Sequence, residues 1–211
     1  MDEKLAELYG ALMGDGCLSL YYSNFDKRKR FCTLFTGHTH DEPYYRNKLQ
    51  PILLNVFKTK GYIQFRKKSN AVLFLSLKKD VFNYFKNSNF PIGKKKYLKI
   101  PKNILINNNF SLSCIRGIFD TDGSIYRRYS KPYKNHSKTY KYQVIQFKMN
   151  SEKTIKQVKT ILTKNNINTN KIIKDKNSFV LRITEQQSIK DFFNIIKPNN
   201  DYHTERYLNS L

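Results

Sequence analysis

Two Asp-Gly dipeptides, Asp15-Gly16 and Asp122-Gly123, each close an apolar run of helical period, and the two aspartates stand 107 residues apart. Leu5, Leu8, Leu12 and Met13 mark the first run, and Leu112, Ile115, Ile118 and Phe119 the second; such spacing puts each set on one helix face. Small residues also recur four positions apart, Gly10 with Gly14 and Gly117 with Thr121. With little side chain on that face, two helix backbones can approach closely. Packed that way, the helices bring Asp15 and Asp122 out side by side at their C-terminal ends, where each helix already carries partial negative charge. The carboxylates then repel one another. A divalent cation relieves that repulsion, and hard oxygen ligands suit Mg²⁺ with phosphate oxygens completing its shell. One Asp-Gly would ordinarily do no more than end a helix and open a turn; two at matched places argue for chemistry.

The elements needed to position these acids also occur twice. After Asp15 come strand-like Leu18 to Tyr22 and Phe31 to Phe35 around the basic turn Asp26 to Arg30. After Asp122 come Ile125 to Tyr129 and Tyr140 to Phe147 around Lys131 to Lys138. Thr39 or Asp41 can cap a helix running to Phe57, and Ser151 one running to Leu162. Two more strands follow in each half, Tyr62 to Arg66 with Val72 to Leu77, and Lys171 to Lys174 with Phe179 to Thr184. Lys79 to Lys86 and Gln186 to Ile196 read as closing helices. The order αββαββα thus occurs twice, with Asn70 and Asn177 also 107 residues apart. We read residues 1–88 as the first repeat, 89–110 as a basic linker, 111–197 as the second repeat and 198–211 as a tail with no assigned element. The fold class expected is α+β: pseudo-twofold tandem repeats, two antiparallel saddle-shaped sheets, and the two Asp-Gly helices packed at the centre.

Charge identifies the partner. The 211 residues include 39 Lys and Arg against 16 acids, a net charge of +23. Between Asp80 and Glu152 only Asp120 and Asp122 are acidic, against fourteen Lys and Arg. A lineage rich in A/T codons would raise Lys everywhere, but would not empty one stretch of acids and return them there as a pair. A surface this basic is matched by a polyanion, with nucleic acid first and an anionic membrane surface second. The 39% hydrophobic content is too high for a disordered basic tail and enough for a core. The longest apolar run, Ala71 to Leu75, is far too short to span a bilayer, and Met1-Asp2-Glu3-Lys4 lacks signal-peptide character. An intracellular, soluble protein without a membrane partner is therefore expected. Cys17, Cys32 and Cys114 form neither a disulfide framework nor a CxxC pair.

The segments Leu8 to Gly16 and Ile115 to Gly123 resemble the paired signature of LAGLIDADG homing endonucleases, with glycine third, Asp15 or Asp122 eighth, and Gly16 or Gly123 ninth. The resemblance covers nearly the whole chain, because the repeat order fits as well, and it points to the single-chain, two-motif form. By that resemblance, Asp15 and Asp122 bind metal together with the backbone carbonyls of Gly14 and Thr121. It implies a Mg²⁺-dependent endonuclease, with Mn²⁺ as an alternative cation and Ca²⁺ as one that binds without supporting cleavage. The partner implied is a long duplex DNA target, both strands of which are cut across the minor groove while the sheets lie in the flanking major grooves. The sixth motif position departs from symmetry, Asp120 in one repeat and Met13 in the other, so Asp120 is read as structural. The family also uses a polar residue at the end of the second strand and a basic residue from the later strands to organise water. His38 and Asn150, and Arg66 and Lys174, stand at those places. His40, His136 and His203 are read as surface residues. His38-Thr39-His40 has no second ligand pair that would make a metal site.

Recognition falls to the hairpins, since a two-stranded ribbon fits the major groove and alternate side chains meet base edges while turn residues reach phosphates. The DNA-contacting set expected comprises Tyr22, Lys27, Arg28, Lys29 and Arg30 in the first hairpin, with Arg66, Lys67 and Lys68 beyond it. Lys94, Lys95 and Lys96 contribute from the linker. Tyr126, Arg127, Arg128, Lys131, Lys134, Lys141 and Lys148 contribute from the second hairpin. Within that hairpin Arg127 and Lys131 are read as phosphate contacts, and Tyr126 and Lys148 as base readers. Two other classes of function compete: an intron maturase that binds RNA without cutting, and a catalytically inactive DNA-binding regulator. Asp15 and Asp122 favour the nuclease, because neither rival needs paired acids facing phosphate. A single chain carrying both repeats is expected to be a monomer acting on an asymmetric site.

Overall fold

A computed structural model of the chain describes residues 2–66, 69–95, 97–129 and 141–209. In the first repeat, α1 (Glu3–Asp15) starts where the Asp2 side chain accepts a hydrogen bond from the Leu5 N–H and ends at Gly16. It feeds β1 (Gly16–Ser23), β2 (Arg28–His38), α2 (Glu42–Tyr44), α3 (Gln50–Phe57), β3 (Tyr62–Arg66), β4 (Ala71–Ser76) and α4 (Lys79–Asn87). After the linker helix α5 (Lys102–Leu105), the second repeat repeats the order. It comprises α6 (Asn108–Asp122), β5 (Gly123–Tyr129), β6 (Lys141–Met149), α7 (Glu152–Lys164), β7 (Ile173–Asp175), β8 (Ser178–Ile183) and α8 (Gln186–Ile196). The sheets run β1-β2-β4-β3 and β5-β6-β8-β7, all neighbours antiparallel. The fold is thus the expected α+β pair of repeats.

Three local features differ from the sequence reading. Helix α6 begins at Asn108 rather than Leu112, because the Asn107 side chain accepts the Phe110 N–H and caps it earlier. The helical stretch after His38 is broken, passing from a 3₁₀ turn (Thr39–Asp41) through α2 and a wide π turn (Tyr45–Leu49) before α3. The tail left without an element forms α9 (Asp201–Leu208), capped by the Asn200 side chain. The second hairpin turn at Lys131 to Lys138, with Tyr133, His136 and Tyr140, lies outside the described residues.

Glycine lets α1 and α6 meet. A Cβ added at Gly10 would sit 2.0 Å from the Cys114 carbonyl oxygen, and one at Gly117 would sit 2.1 Å from the Glu7 carbonyl oxygen and 2.6 Å from the Ala11 nitrogen. These obstacles are backbone, which cannot swing away as a flexible side chain would. Gly117→Ala is therefore expected to cost about 3 kcal/mol or more, at the upper end of overpacking penalties. A denaturation midpoint shows this, and a variant with a wild-type midpoint would contradict the close helix contact. Around the pair the core is aromatic: Phe35, Tyr45 and Phe74 cluster under the first sheet, and Phe119, Phe147 and Phe192 under the second.

Candidate active site

Helix packing brings Asp15 and Asp122 near enough that each bears on the electrostatics of one cleft. Burial first, then the charges of Asp122 and Asp41, raise the Asp15 carboxyl to about 8, while Lys95 opposes the rise. Asp122, more open to solvent, is raised by burial to about 6, and Lys95 again opposes. Lys95 arrives from the linker, its ammonium donating to the Gly14 carbonyl and, at 3.0 Å, to the Met13 carbonyl. A cation is thus already seated on the backbone oxygens beside the two carboxylates. The donors around it suit a metal, since carboxylate and carbonyl oxygens are the set that hard divalent cations prefer. Thr121, at the matching place on α6, turns its hydroxyl to the Gly117 carbonyl at 2.8 Å.

The site has two sides. Gly14, Asp122, Lys95 and Asn150 line a cleft of ≈ 330 Å³. Asn150 and Lys95 also line an adjoining groove of ≈ 780 Å³ together with Lys94 and Lys174. The structure therefore brings Asn150 into the cleft with Asp122, while Lys174 reaches the adjoining groove and not the cleft itself. On the other side, His38, Ala71 and Arg66 stand opposite one another across β2, β4 and β3. The His38 N–H donates to Asp41 at 2.9 Å, and Asp41 is one of the charges acting on Asp15. The Tyr45 hydroxyl is buried beside Asp15 and Asp41 and interacts with the Asp15 carboxyl.

Sequence reasoning missed Asp41, Tyr45 and Asn200 as site residues. Asp41 was legible as a helix cap, but not its second bond, from the Asn200 side-chain amide 159 residues away at 2.9 Å. Asn200 also ties down Asp120. The N–H of Asn199 donates to both Asp120 carboxylate oxygens, at 3.1 and 2.9 Å, and that of Asn200 to one, at 3.1 Å. The Asn200 side chain adds a bond to the Asp120 carbonyl at 2.8 Å. Asp120 is fully buried, its carboxyl pushed up to about 8 by burial against the pull of those N–H groups. It anchors the tail instead of facing the cleft. Asp120→Ala strands two buried N–H groups and is expected to cost about 2–4 kcal/mol, or roughly 5–15 °C in Tm. Calorimetry checks this, and an unchanged Tm would remove Asp120 from the tail's anchorage.

Of the histidines expected at the surface, His40 is exposed, His136 lies outside the described residues, and His203 needs a correction. His203 is buried, packed on the Phe119 ring at 4.8 Å between centroids, and burial lowers its pKa to about 4. His40 is exposed and stacked between His38 and Tyr202 of α9, at 4.4 and 5.2 Å.

Strand register sorts the expected DNA contacts. Side chains alternate between faces, and Leu18, Phe35, Ile125 and Phe147 define the core face. Arg28, Arg30, Arg66, Tyr126, Arg128 and Lys148 fall on the open face, with Arg30 held by Asp26 and Lys148 paired to Asp175 at 2.7 Å. Tyr22, Lys29, Arg127 and Lys141 fall on the helix side, beyond the end of the core, because neighbours in a strand such as Arg28 and Lys29, or Arg127 and Arg128, cannot share one face. There Arg127 donates to the Asn209 carbonyl and Lys141 lies 6.0 Å from the Tyr129 ring. Tyr21 and Arg182 take the open face instead. Lys27, at φ 52°, makes the first hairpin turn. Lys67, Lys68, Lys96, Lys131 and Lys134 lie outside the described residues.

Two repeats, each ending a central helix on Asp-Gly and opening a four-stranded antiparallel sheet, define the two-motif LAGLIDADG fold. Residues 109–197, the second repeat, match the family model of the LAGLIDADG-like domain. The chain is similar in structure to the homing endonuclease I-DmoI, at 18% identity and TM-score 0.65, over 94% of this chain and 97% of that one. I-DmoI in complex with DNA and Mn aligns at 18% identity and TM-score 0.65, over 92% and 96%. The LAGLIDADG meganuclease I-AabMI bound to uncleaved DNA aligns at 12% identity and TM-score 0.62, over 99% and 91%. No curated protein sequence matches the chain. Among the described residues no helix is long and apolar enough to cross a membrane.

Proposed function

We propose that the protein is a site-specific endonuclease that cuts both strands of a long, asymmetric duplex DNA target by metal-dependent phosphodiester hydrolysis. The observation that carries this reading is the meeting of Asp15, Asp122 and the Gly14 carbonyl at the helix ends, under a sheet pair whose open face is basic. Similar structures include complexes with DNA and divalent ions, which supports the same substrate and cofactor class here. Mg²⁺ is the cation proposed, with Mn²⁺ able to replace it and Ca²⁺ binding without cleavage.

Asp15, Asp122 and the carbonyls of Gly14 and Thr121 would hold the metal. When bound, it lowers the pKa of water and neutralises charge developing on the scissile phosphate. Asn150 and Lys174 on one side, and His38 and Arg66 on the other, orient water and phosphate at their own strand. The differing companions of the two acids match a target whose half-sites differ. A maturase reading gains nothing from the raised carboxylates, which cost folding free energy and serve no purpose in holding RNA.

The chain is proposed to act as a monomer, because it carries both halves of the site. Light scattering should return one chain of 25.1 kDa, and duplex DNA should compete better than folded RNA for binding. An obligate dimer, or preference for folded RNA, would overturn the proposal.

A further inference from the structure

The linker lysines were read as a single basic cluster for DNA, yet the structure treats one of them differently. Lys94 is exposed in the groove, whereas Lys95 is turned inward with its ammonium on the Met13 and Gly14 carbonyls. That inward turn is imposed from both flanks. Upstream, the Gly93 N–H bonds the Leu18 carbonyl at 2.8 Å, and Ile92 bridges Leu18, joining the linker to β1. Downstream, the buried Leu98 carbonyl accepts from the hydroxyls of Ser151 and Thr154. Gln157 brackets Ile100, accepting its N–H at 2.8 Å and donating to its carbonyl at 3.1 Å. The linker is therefore stitched to the first repeat on one side of Lys95 and to α7 of the second repeat on the other, and Lys95 enters the cleft between them.

We propose that Lys95 is a tethered internal cation, holding the carbonyl and carboxylate oxygens of the site in place until a divalent metal displaces it. This rests on the metal-site reading above. Gly14 offers one carbonyl oxygen to the cleft, and the Lys95 ammonium already sits on it. An ammonium on that oxygen and a metal ion on it exclude one another. Charge repulsion adds to the steric conflict. Asp122 and Asp15 are the charges that hold the ammonium in the cleft, so it loses its electrostatic partners once a metal neutralises the acids. Outside the cleft, a DNA phosphate is the partner of matching chemistry.

A competitor that occupies a site nine-tenths of the time weakens a ligand about tenfold. Calorimetric titration of the full, DNA-free chain with Mn²⁺ tests this. Lys95→Met should bind Mn²⁺ at least about tenfold more tightly than wild type, and Lys95→Arg, which keeps the charge, should stay near wild type. Lys95→Gln provides the same comparison should the Met variant fail to fold. Equal Mn²⁺ affinity in wild type and Lys95→Met, or weaker binding by the variant, would overturn the displacement while leaving the metal site standing. Absence of Mn²⁺ binding by every variant at millimolar ion would overturn both.

Discussion

Asp15→Asn and Asp122→Asn are each expected to lower double-strand cleavage by about a thousandfold, equivalent to ~4 kcal/mol of transition-state stabilisation lost with a metal ligand. Duplex binding should persist, because neither acid contributes to the basic face and removing one negative charge reduces repulsion of phosphate. The two variants need not fail identically. Asp122 shares its cleft with Asn150 and Lys95, whereas Asp15 lies toward Asp41, Tyr45 and His38, so each variant should show its own residual rate of nicking one strand. Plasmid linearisation and nicking, followed on one gel, read both. A single variant that still linearised the plasmid at the wild-type rate would remove its aspartate from the site.

Salt should weaken duplex binding steeply. If about 8 to 10 phosphates are neutralised by the two open sheet faces and the linker, log K should fall against log salt with a slope near −7 to −9. Register makes the test residue-specific. Arg128→Ala, on the open face, should reduce the slope by about 1, whereas Arg127→Ala should change it less, because its guanidinium is spent on the Asn209 carbonyl. A slope near −2 with duplex DNA beside a steep slope with folded RNA would favour the maturase reading, since counterion release reports which polyanion the surface fits.

Local periodicity made the repeat order readable. Leu5 to Met13 and Leu112 to Phe119 announce α1 and α6, and the Asp-Gly ends announce the turn into each sheet. Face assignment was harder, because one residue of slip exchanges the two faces of a strand. Strand neighbours such as Arg127 and Arg128 cannot both face DNA, and composition alone does not say which of them does. Partnerships across the chain left no local trace. Asn200 reaches Asp120 and Asp41 only after folding, and nothing in the tail's composition forecasts that it would bridge the repeats or bury His203. Likewise three successive lysines, 94 to 96, are equivalent in sequence. Only the stitching of Gly93 to Leu18 and of Leu98 to Ser151 and Thr154 turns Lys95 inward.

Two acids at paired helix ends are proposed to cut both strands of one asymmetric duplex site with a divalent metal. The most direct measurement incubates the purified chain with a randomised duplex library in Mg²⁺ and in EDTA, then sequences both ends of every cut molecule. The expected result is one long, non-palindromic site, cut on both strands at a fixed short offset, with no product in EDTA. Cleavage that persisted in EDTA, cuts confined to one strand, or an uncut library would contradict it.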